Sequence, residues 1–586
     1  MTQAVRSDIL PNNAVIKSSV PLSNLLFTPI VMAILIFLIT ALVGVWAAPD
    51  RSAAVHRFLL LAGGVALTGG IAWGAKRNVE SVLGVLGLVF SLLAVGLTIH
   101  FLLTVNWDEA GSARFSIIEQ FGRWVQYYVL DLSALPHLQK NITGGILLIV
   151  FPLGLAGTLW AWTNGHRLLT AASIITLVIV LFGLVMSNSR GAWLGFVFGA
   201  MYSAYFYWRF GPGYPSKIKW VGDFLIAANL MALVAGFWLV ATVPEYREFF
   251  NQIIGDRPPT RADVWQFSLP LVQDYWYTGS GLGSTTMVLS SYVLLLHVPY
   301  LAHTHNLFLQ IAVEQGMPGL ITFVILIIFT LWALTHAYRQ GSWLIKLYCT
   351  FAVASLTGML VHGTVEANLY AYQAMPLMFL PFGFALALIS VVNDDDDDTV
   401  SDLSDKASIQ RVAVIGGFAP SLIIAFLFLW PGSMANLQAN LGAVAQTRAE
   451  LAVYVWPEWP LQDELRRNQV VNLTPAINHY KTALSKNPTN VTALRRLGQI
   501  EISLGNYDVA QHYLEAAYQA APDQRATRQM LGEIYAIDGN LPEALALWQP
   551  LDLDQGQLDA RQWWYYHIGA DDMAELIKQA EIQRTP

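Results

Sequence analysis

Apolar runs set the limits on this chain. About eleven segments of nearly uncharged residues recur between Leu26 and Pro431, each long enough to cross bilayer hydrocarbon as a helix. They lie near 26–47, 58–75, 80–104, 143–162, 170–187, 192–208, 221–243, 317–336, 344–362, 373–392 and 412–431. Backbone polar groups find no water in lipid, so spanning segments must be helices unless they close into a barrel. The expected fold class is therefore all-α, a polytopic membrane protein. The first run is too long for a signal-peptide core and reads as a spanning anchor.

Composition agrees: 55% of the 586 residues are hydrophobic and 12% are charged. The lone cysteine, Cys349, sits inside an apolar run, which excludes a disulfide framework and a cysteine-based metal site. The net charge of -7 carries little information because the acids cluster. The run Asp394–Asp398 reads as a solvated linker rather than a calcium site. Nucleic acid is not among the expected partners.

Basic residues give an orientation. With residues 1–20 in the cytoplasm, the inside loops hold Lys76 and Arg77, Arg167, Arg209 with Lys217 and Lys219, Arg339 with Lys346, and Lys406 with Arg411. The expected arrangement is a membrane domain over 21–432 in the cytoplasmic (inner) membrane, with a large outer loop at 244–304. An extracytoplasmic domain then covers 433–586.

That last domain has its own signature. A shift of 34 residues superposes Ala476, Ala510 and Ala544, then Tyr480, Leu514 and Trp548, and Leu497-Gly498 on Leu531-Gly532. The period, the small residues at packing positions and the repeated Pro488 and Pro522 resemble the tetratricopeptide repeat. Such stacks of antiparallel helix pairs bind peptides or partner proteins along a concave face, or act as spacers.

Chemistry is expected in the membrane part, at three places. Ser187-Asn188-Ser189-Arg190-Gly191-Ala192-Trp193 joins two spans and puts an arginine close to hydrocarbon, where charge is costly. In Thr260-Arg261-Ala262-Asp263-Val264-Trp265, Thr260 can cap a helix and place Arg261 in its first turn, a setting suited to anions; the Gly281-Leu282-Gly283 turn follows. The third runs from Tyr300 to Leu320. It reads as a short amphipathic helix holding His305, Asn306 and Gln310 over a cavity, then a break at Gly316 and Pro318, then a span. Two arginines and a histidine on one side suit a phosphorylated lipid head group. On a helix His303 and His305 would project about 200° apart; His303 is expected to precede the helix and face solvent or lipid head groups.

Together, Ser189-Arg190-Gly191-Ala192-Trp193, Arg261 with Trp265, Gly281-x-Gly283, and His305-Asn306 followed nine residues on by Gly316-x-x-Gly319 resemble the O-antigen ligase family. That family includes the O-antigen polymerases and bacterial O-oligosaccharyltransferases, and the resemblance spans roughly 20–432. It implies a C-type glycosyltransferase fold and transfer of a glycan from undecaprenyl diphosphate at the outer face, in cell-surface polysaccharide or lipopolysaccharide synthesis. It implies no metal or other cofactor. Carried over residue by residue, Arg190 and Arg261 bind the diphosphate and His305 orients or deprotonates the acceptor. Asn306, Ser189, Gly281, Gly283 and Trp265 complete the expected substrate site, with Asp256, Asp263 and Glu314 supporting the arginines and histidine. The acceptor, whether lipid, glycan or protein, stays open, as does what the repeats bind. The rival readings are a polysaccharide or lipid transporter, which should show internal repeats in its membrane half, and a scaffold.

Overall fold

The computed structural model describes residues 29–107, 116–211, 216–254, 259–395, 421, 424–454, 461–553 and 556–584. Its regular structure is helical throughout, with no strand among the described residues. Eight helices there are long and apolar enough to cross a membrane: Pro29–Ala47, Arg51–Ala75, Val79–Thr104, Lys140–Thr163, Arg167–Met186, Lys219–Thr242, Leu307–Gln340 and Trp343–Gly363. This is a multi-pass membrane protein. The expected count of about eleven is not reproduced, for three separate reasons. Arg190–Phe210 covers the run at 192–208, but its second half carries Tyr202, Tyr205, Tyr207 and Trp208, so it is less apolar than the eight. The run at 373–392 holds only a shorter apolar helix, Met375–Ser390. Residues 412–431 fall largely outside the described residues, as do residues 1–20 and Asp256, and the side chains of Asp394–Asp398.

Close helix contact places the functional end of the bundle. A Cβ on Gly195 or Gly199 would stand 2.6 Å from the carbonyl oxygen of Gly358 or Ala354 respectively. The Arg190–Phe210 and Trp343–Gly363 backbones therefore touch, as small residues permit within a membrane. That contact brings the start of the first helix beside the end of the second.

Leu307–Gln340 is broken, as the sequence suggests, at Gly316, whose φ of 71° and ψ of -178° belong to glycine almost alone. A break in a helix frees backbone groups that must find partners. Here Met317 N donates to Trp276 O at 2.8 Å, and Val313 O accepts from Ser280 N at 2.8 Å. Gly279 makes the approach possible, since a Cβ there would meet the Glu314 backbone at 2.3 Å. The break is thus sewn to the Trp276–Ser280 loop.

Among its described residues the tail forms four helix pairs: Ser433–Leu451 with Thr474–Lys486, Val491–Leu504 with Tyr507–Ala520, Arg525–Ile537 with Leu541–Trp548, and Gln557–His567 with Asp571–Arg584. The 34-residue period is a packing rule. Gly498 lies under Leu514 and Gly532 under Trp548, where a Cβ would come within 2.7 Å and 2.3 Å of the larger side chain.

Candidate functional site

Helix starts build the site. Met186 ends one helix, Asn188 takes a left-handed φ of 50°, and Ser189 is the N-cap of Arg190–Phe210. Ser189 spends its hydroxyl elsewhere: Oγ donates to Asn141 Oδ1 at 2.9 Å. Asn141, in the first turn of Lys140–Thr163, turns its amide Nδ2 to Glu366 Oε2 in a short hydrogen bond. Glu366 Oε1 then lies 2.9 Å from His303 Nε2 and 3.6 Å from His305 Nδ1. It also accepts from the Ala367 amide at 3.0 Å. A continuous polar chain thus connects the arginine-bearing turn to the histidines.

The carboxylate at its centre is buried, 3% exposed. Burial alone would raise the Glu366 carboxyl, but the imidazoles of His303 and His305 beside it hold it well below the usual carboxylate range. It is an anion at neutral pH and fixes the imidazoles that face it.

The histidines depart from the sequence expectation. His303 precedes the helix as expected, but so does His305, because the N-cap is Asn306; the helical projection that set them apart does not apply. His305 adopts a left-handed φ of 53°, a conformation that costs a non-glycine residue about 1–2 kcal/mol. That turn folds the segment back, and the two rings stand 4.3 Å apart on the same carboxylate. His303 is buried rather than directed at solvent or lipid. Its side chain is 8% exposed, against 25% for His305, so His305 is the more accessible of the pair.

Asn306 holds this turn. Its Oδ1 accepts from Leu309 N at 2.9 Å, closing the cap, and its Nδ2 donates to Thr364 O at 2.9 Å. Thr304 N donates to Gln310 Oε1 at 2.8 Å and Thr304 Oγ1 to Asn306 O at 3.0 Å. Asn306 therefore ties the histidine turn to the strand of backbone that carries Glu366.

Arg261 opens the helix Arg261–Asp274 as expected, behind a capping box in which Thr260 and Asp263 bond each other reciprocally. Asp263 is committed to that cap. Arg261 acts electrostatically on His362, a buried histidine between Gly145 and Gly191, where a Cβ on either glycine would lie 3.0–3.1 Å from its ring. Arg190 is exposed and Arg261 half-buried. The arginine turns, Ser189 and the histidine turn converge at one end of the bundle.

The remaining expected residues have other surroundings. Trp265 is buried, its ring 5.0 Å from Phe237 and 5.5 Å from Phe250. Gly281, with φ 109°, lets the backbone press on Ala48, where a Cβ would stand 2.3 Å away; Gly283, with φ 75°, sits beside the Arg57 side chain. Glu314 does not reach the histidines. It pairs with Arg57 at 3.7 Å and accepts from Gln310 Nε2 and Thr285 Oγ1 at 2.8 and 3.1 Å. Sequence reading missed Asn141, Glu366, His362 and Arg57. A glutamate close behind an apolar span was the only available hint for Glu366.

His303, His305 and Glu366 present ligand atoms within 4.8 Å of one another. Two imidazoles and a carboxylate form a donor set that zinc accepts in open catalytic sites.

Residues 175–324 match the family model described as O-Antigen ligase, and residues 472–525 and 501–549 match tetratricopeptide-repeat models. Among curated proteins, the general O-oligosaccharyltransferase of Acinetobacter baylyi is 28% identical over 229 residues, 37% of this chain and 37% of that protein. The match thus spans little more than a third of the relative's length. The ligase match contains Arg190, Arg261 and His305 and stops short of Glu366.

Proposed function

Because the chain carries an O-antigen ligase domain followed by tetratricopeptide repeats, we propose that it is a membrane glycosyltransferase. In this reading it moves a glycan from undecaprenyl diphosphate to an acceptor hydroxyl at the outer face of the cytoplasmic membrane. Arg190 and Arg261 hold the diphosphate, whose charge grows as the anomeric bond breaks and is stabilised best by donors fixed before reaction. His305 takes the acceptor's proton, a contribution of about 10²–10⁴-fold for a positioned base. Glu366 orients the imidazole and stabilises it once protonated. A single base and one displacement give inversion at the anomeric carbon.

The observation that supports this most is the chain Ser189–Asn141–Glu366–His305. It links the turn carrying Arg190 to the accessible histidine, as an acceptor base and a donor clamp acting on one bond require. The resemblance to a general O-oligosaccharyltransferase favours transfer of an oligosaccharide to an oxygen of the acceptor. The test is transfer by the purified protein from lipid-linked glycan to a protein acceptor, a lipid-A core or a second repeat unit, offered separately. A preparation that moves glycan to none of them, with donor shown to bind, overturns the reading.

The His303–His305–Glu366 set favours a second reading, in which a divalent metal activates the acceptor hydroxyl. Metal analysis and chelation of active protein separate the two. Full activity at sub-stoichiometric metal leaves the base mechanism, whereas loss on chelation with recovery on zinc addition replaces it.

A further inference from the structure

The repeat domain is already engaged with the chain that carries it. Its first-helix face, where such repeats hold extended peptides, is lined at one point by Gln499, Ile502, Met530, Glu533 and Arg561, and Leu295 is the residue set against them. Leu295 reaches that position with a left-handed φ of 58° and is 6% exposed, packed within the core cluster of the repeats. Two residues on, His297 N donates to Gln462 Oε1 at 2.9 Å, and the ring Nε2 lies 3.3 Å from Glu450 Oε2. Backbone recognition flanking a buried side chain is how a bound peptide is read.

Charge fixes the other end of the same segment. Asp274 is 1% exposed and is met by Arg495, Arg496, Thr492 and Tyr292, with Arg495 in a short ion pair and Arg496 at 3.2 Å. Both arginines are 2% exposed. Between the two ends, Asn440 Oδ1 accepts from the Tyr277 and Thr278 amides at 2.9 and 3.2 Å, and Tyr275 is hydrogen-bonded to Thr447. The Arg525 guanidinium lies 5.2 Å over the Phe267 ring.

We propose that the repeat groove is a clamp acting in cis: its resident ligand is the chain's own segment Asp274–Val298, and holding it fixes the helix that begins at Arg261. Departure of the segment would leave Arg495 and Arg496 without Asp274 inside the groove, and separating a buried pair is costly. A free peptide would have to supply a carboxylate, an apolar anchor and a backbone amide at matching positions against a tethered competitor that is always present. Asp274 and Arg261 end the same fourteen-residue helix, so the clamp and the proposed diphosphate site share one helix. The repeats are therefore part of the transfer machinery rather than a recruiting module.

The test uses the full chain, purified, with Cys349→Ser. Ser291→Cys, a small replacement at a position 7% exposed, reports on the segment, and Gln549→Cys on the exposed repeat surface serves as reference. A hydrophilic maleimide should modify Ser291→Cys at least about tenfold more slowly than the reference, as for a residue reached only by local opening. Asp274→Asn, which keeps the shape and removes the charge, and Leu295→Ala, which shortens the anchor without stranding one, should each raise that rate toward the reference. Both should lower transfer. A native chain whose Ser291→Cys reacts as fast as Gln549→Cys overturns the clamp, because its groove is then open to another ligand. So does a pair of variants with a released segment and undiminished transfer. The effect on transfer rests on the glycan-transfer reading; the labelling does not, so the two fail separately. Unfolding temperatures of both variants distinguish release of the segment from loss of the fold, and a variant that unfolds globally is replaced by the other.

Discussion

Ser189 Oγ donates to Asn141 Oδ1 at 2.9 Å, and through that bond the turn bearing Arg190 is joined to the carboxylate that faces both histidines. Residues 141, 189, 303, 305 and 366 come from four separate helix starts and ends. Each helix end has polar groups to satisfy, and here they satisfy one another around a common centre.

Glu366→Gln should lower transfer by about 10²-fold while leaving binding of the lipid donor within a few-fold, since the amide keeps the size but not the charge that steadies His305. Steady-state kinetics with purified donor measure this. Activity within a factor of two would remove Glu366 from the mechanism.

His305→Ala should abolish transfer with donor binding retained. His303→Ala should also cost more than a few-fold, because it removes one of the groups that keep Glu366 ionised. Equal activity of His303→Ala and the native protein would mean that the shared carboxylate is not what couples the pair.

Planar bidentate donors hold a diphosphate in a way a point charge does not. Arg190→Lys and Arg261→Lys are each expected to lose most transfer, about 10-fold or more for a lost charge-assisted bond, while Lys217→Ala stays near native. Two fully active lysine variants would reduce the arginines to membrane anchors.

Gly316→Ala should be among the most damaging single-methyl changes in the chain. Its φ of 71° and ψ of -178° are glycine's, and a Cβ would meet Gly279 N and Trp276 O at 2.8 Å. Strain of this kind costs about 1–3 kcal/mol before any clash. The readout is the unfolding temperature in detergent, and no measurable drop would show that the break is not as tight as described.

Acidification tests the clamp at Asp274. Burial would raise this carboxyl, but Arg495 and Arg496 outweigh burial and leave it below the ordinary value. A depressed carboxyl contributes stability that is complete above its unfolded value and fades only as pH falls below that value toward the folded one. Slow labelling of Ser291→Cys should therefore persist from pH 7 to pH 5, scored against the reference at each pH. Release in that window would point to a different titrating group.

Some of this was legible in the sequence. The apolar runs, the 34-residue period, the Thr260 cap and the break at Gly316 are local patterns, and local patterns survive folding. The burial of His303 was not legible because it follows from the turn at His305, and a positive φ at a histidine leaves no sequence signal. Trp265 and Gly281 share a motif with Arg190 and His305 but are placed by packing, against Phe237 and Ala48. Asn141 and Glu366 lie 225 residues apart, and no spacing rule reaches across that distance. Nor could a repeat pattern show that its groove is filled by a loop from the same chain.

The broken helix has a consequence for the lipid around it. A spanning helix tilts when the hydrocarbon is thinner or thicker than its apolar length. In Leu307–Gln340 the spanning part follows Gly316, while the turn with His305 precedes it and is tied to Thr364 and Glu366. With the break itself fastened to the Trp276–Ser280 loop, a change of tilt beyond Gly316 would not swing the histidine. Reconstitution in bilayers of graded acyl-chain length should then change transfer little, although the same series alters the inclination of the helix below.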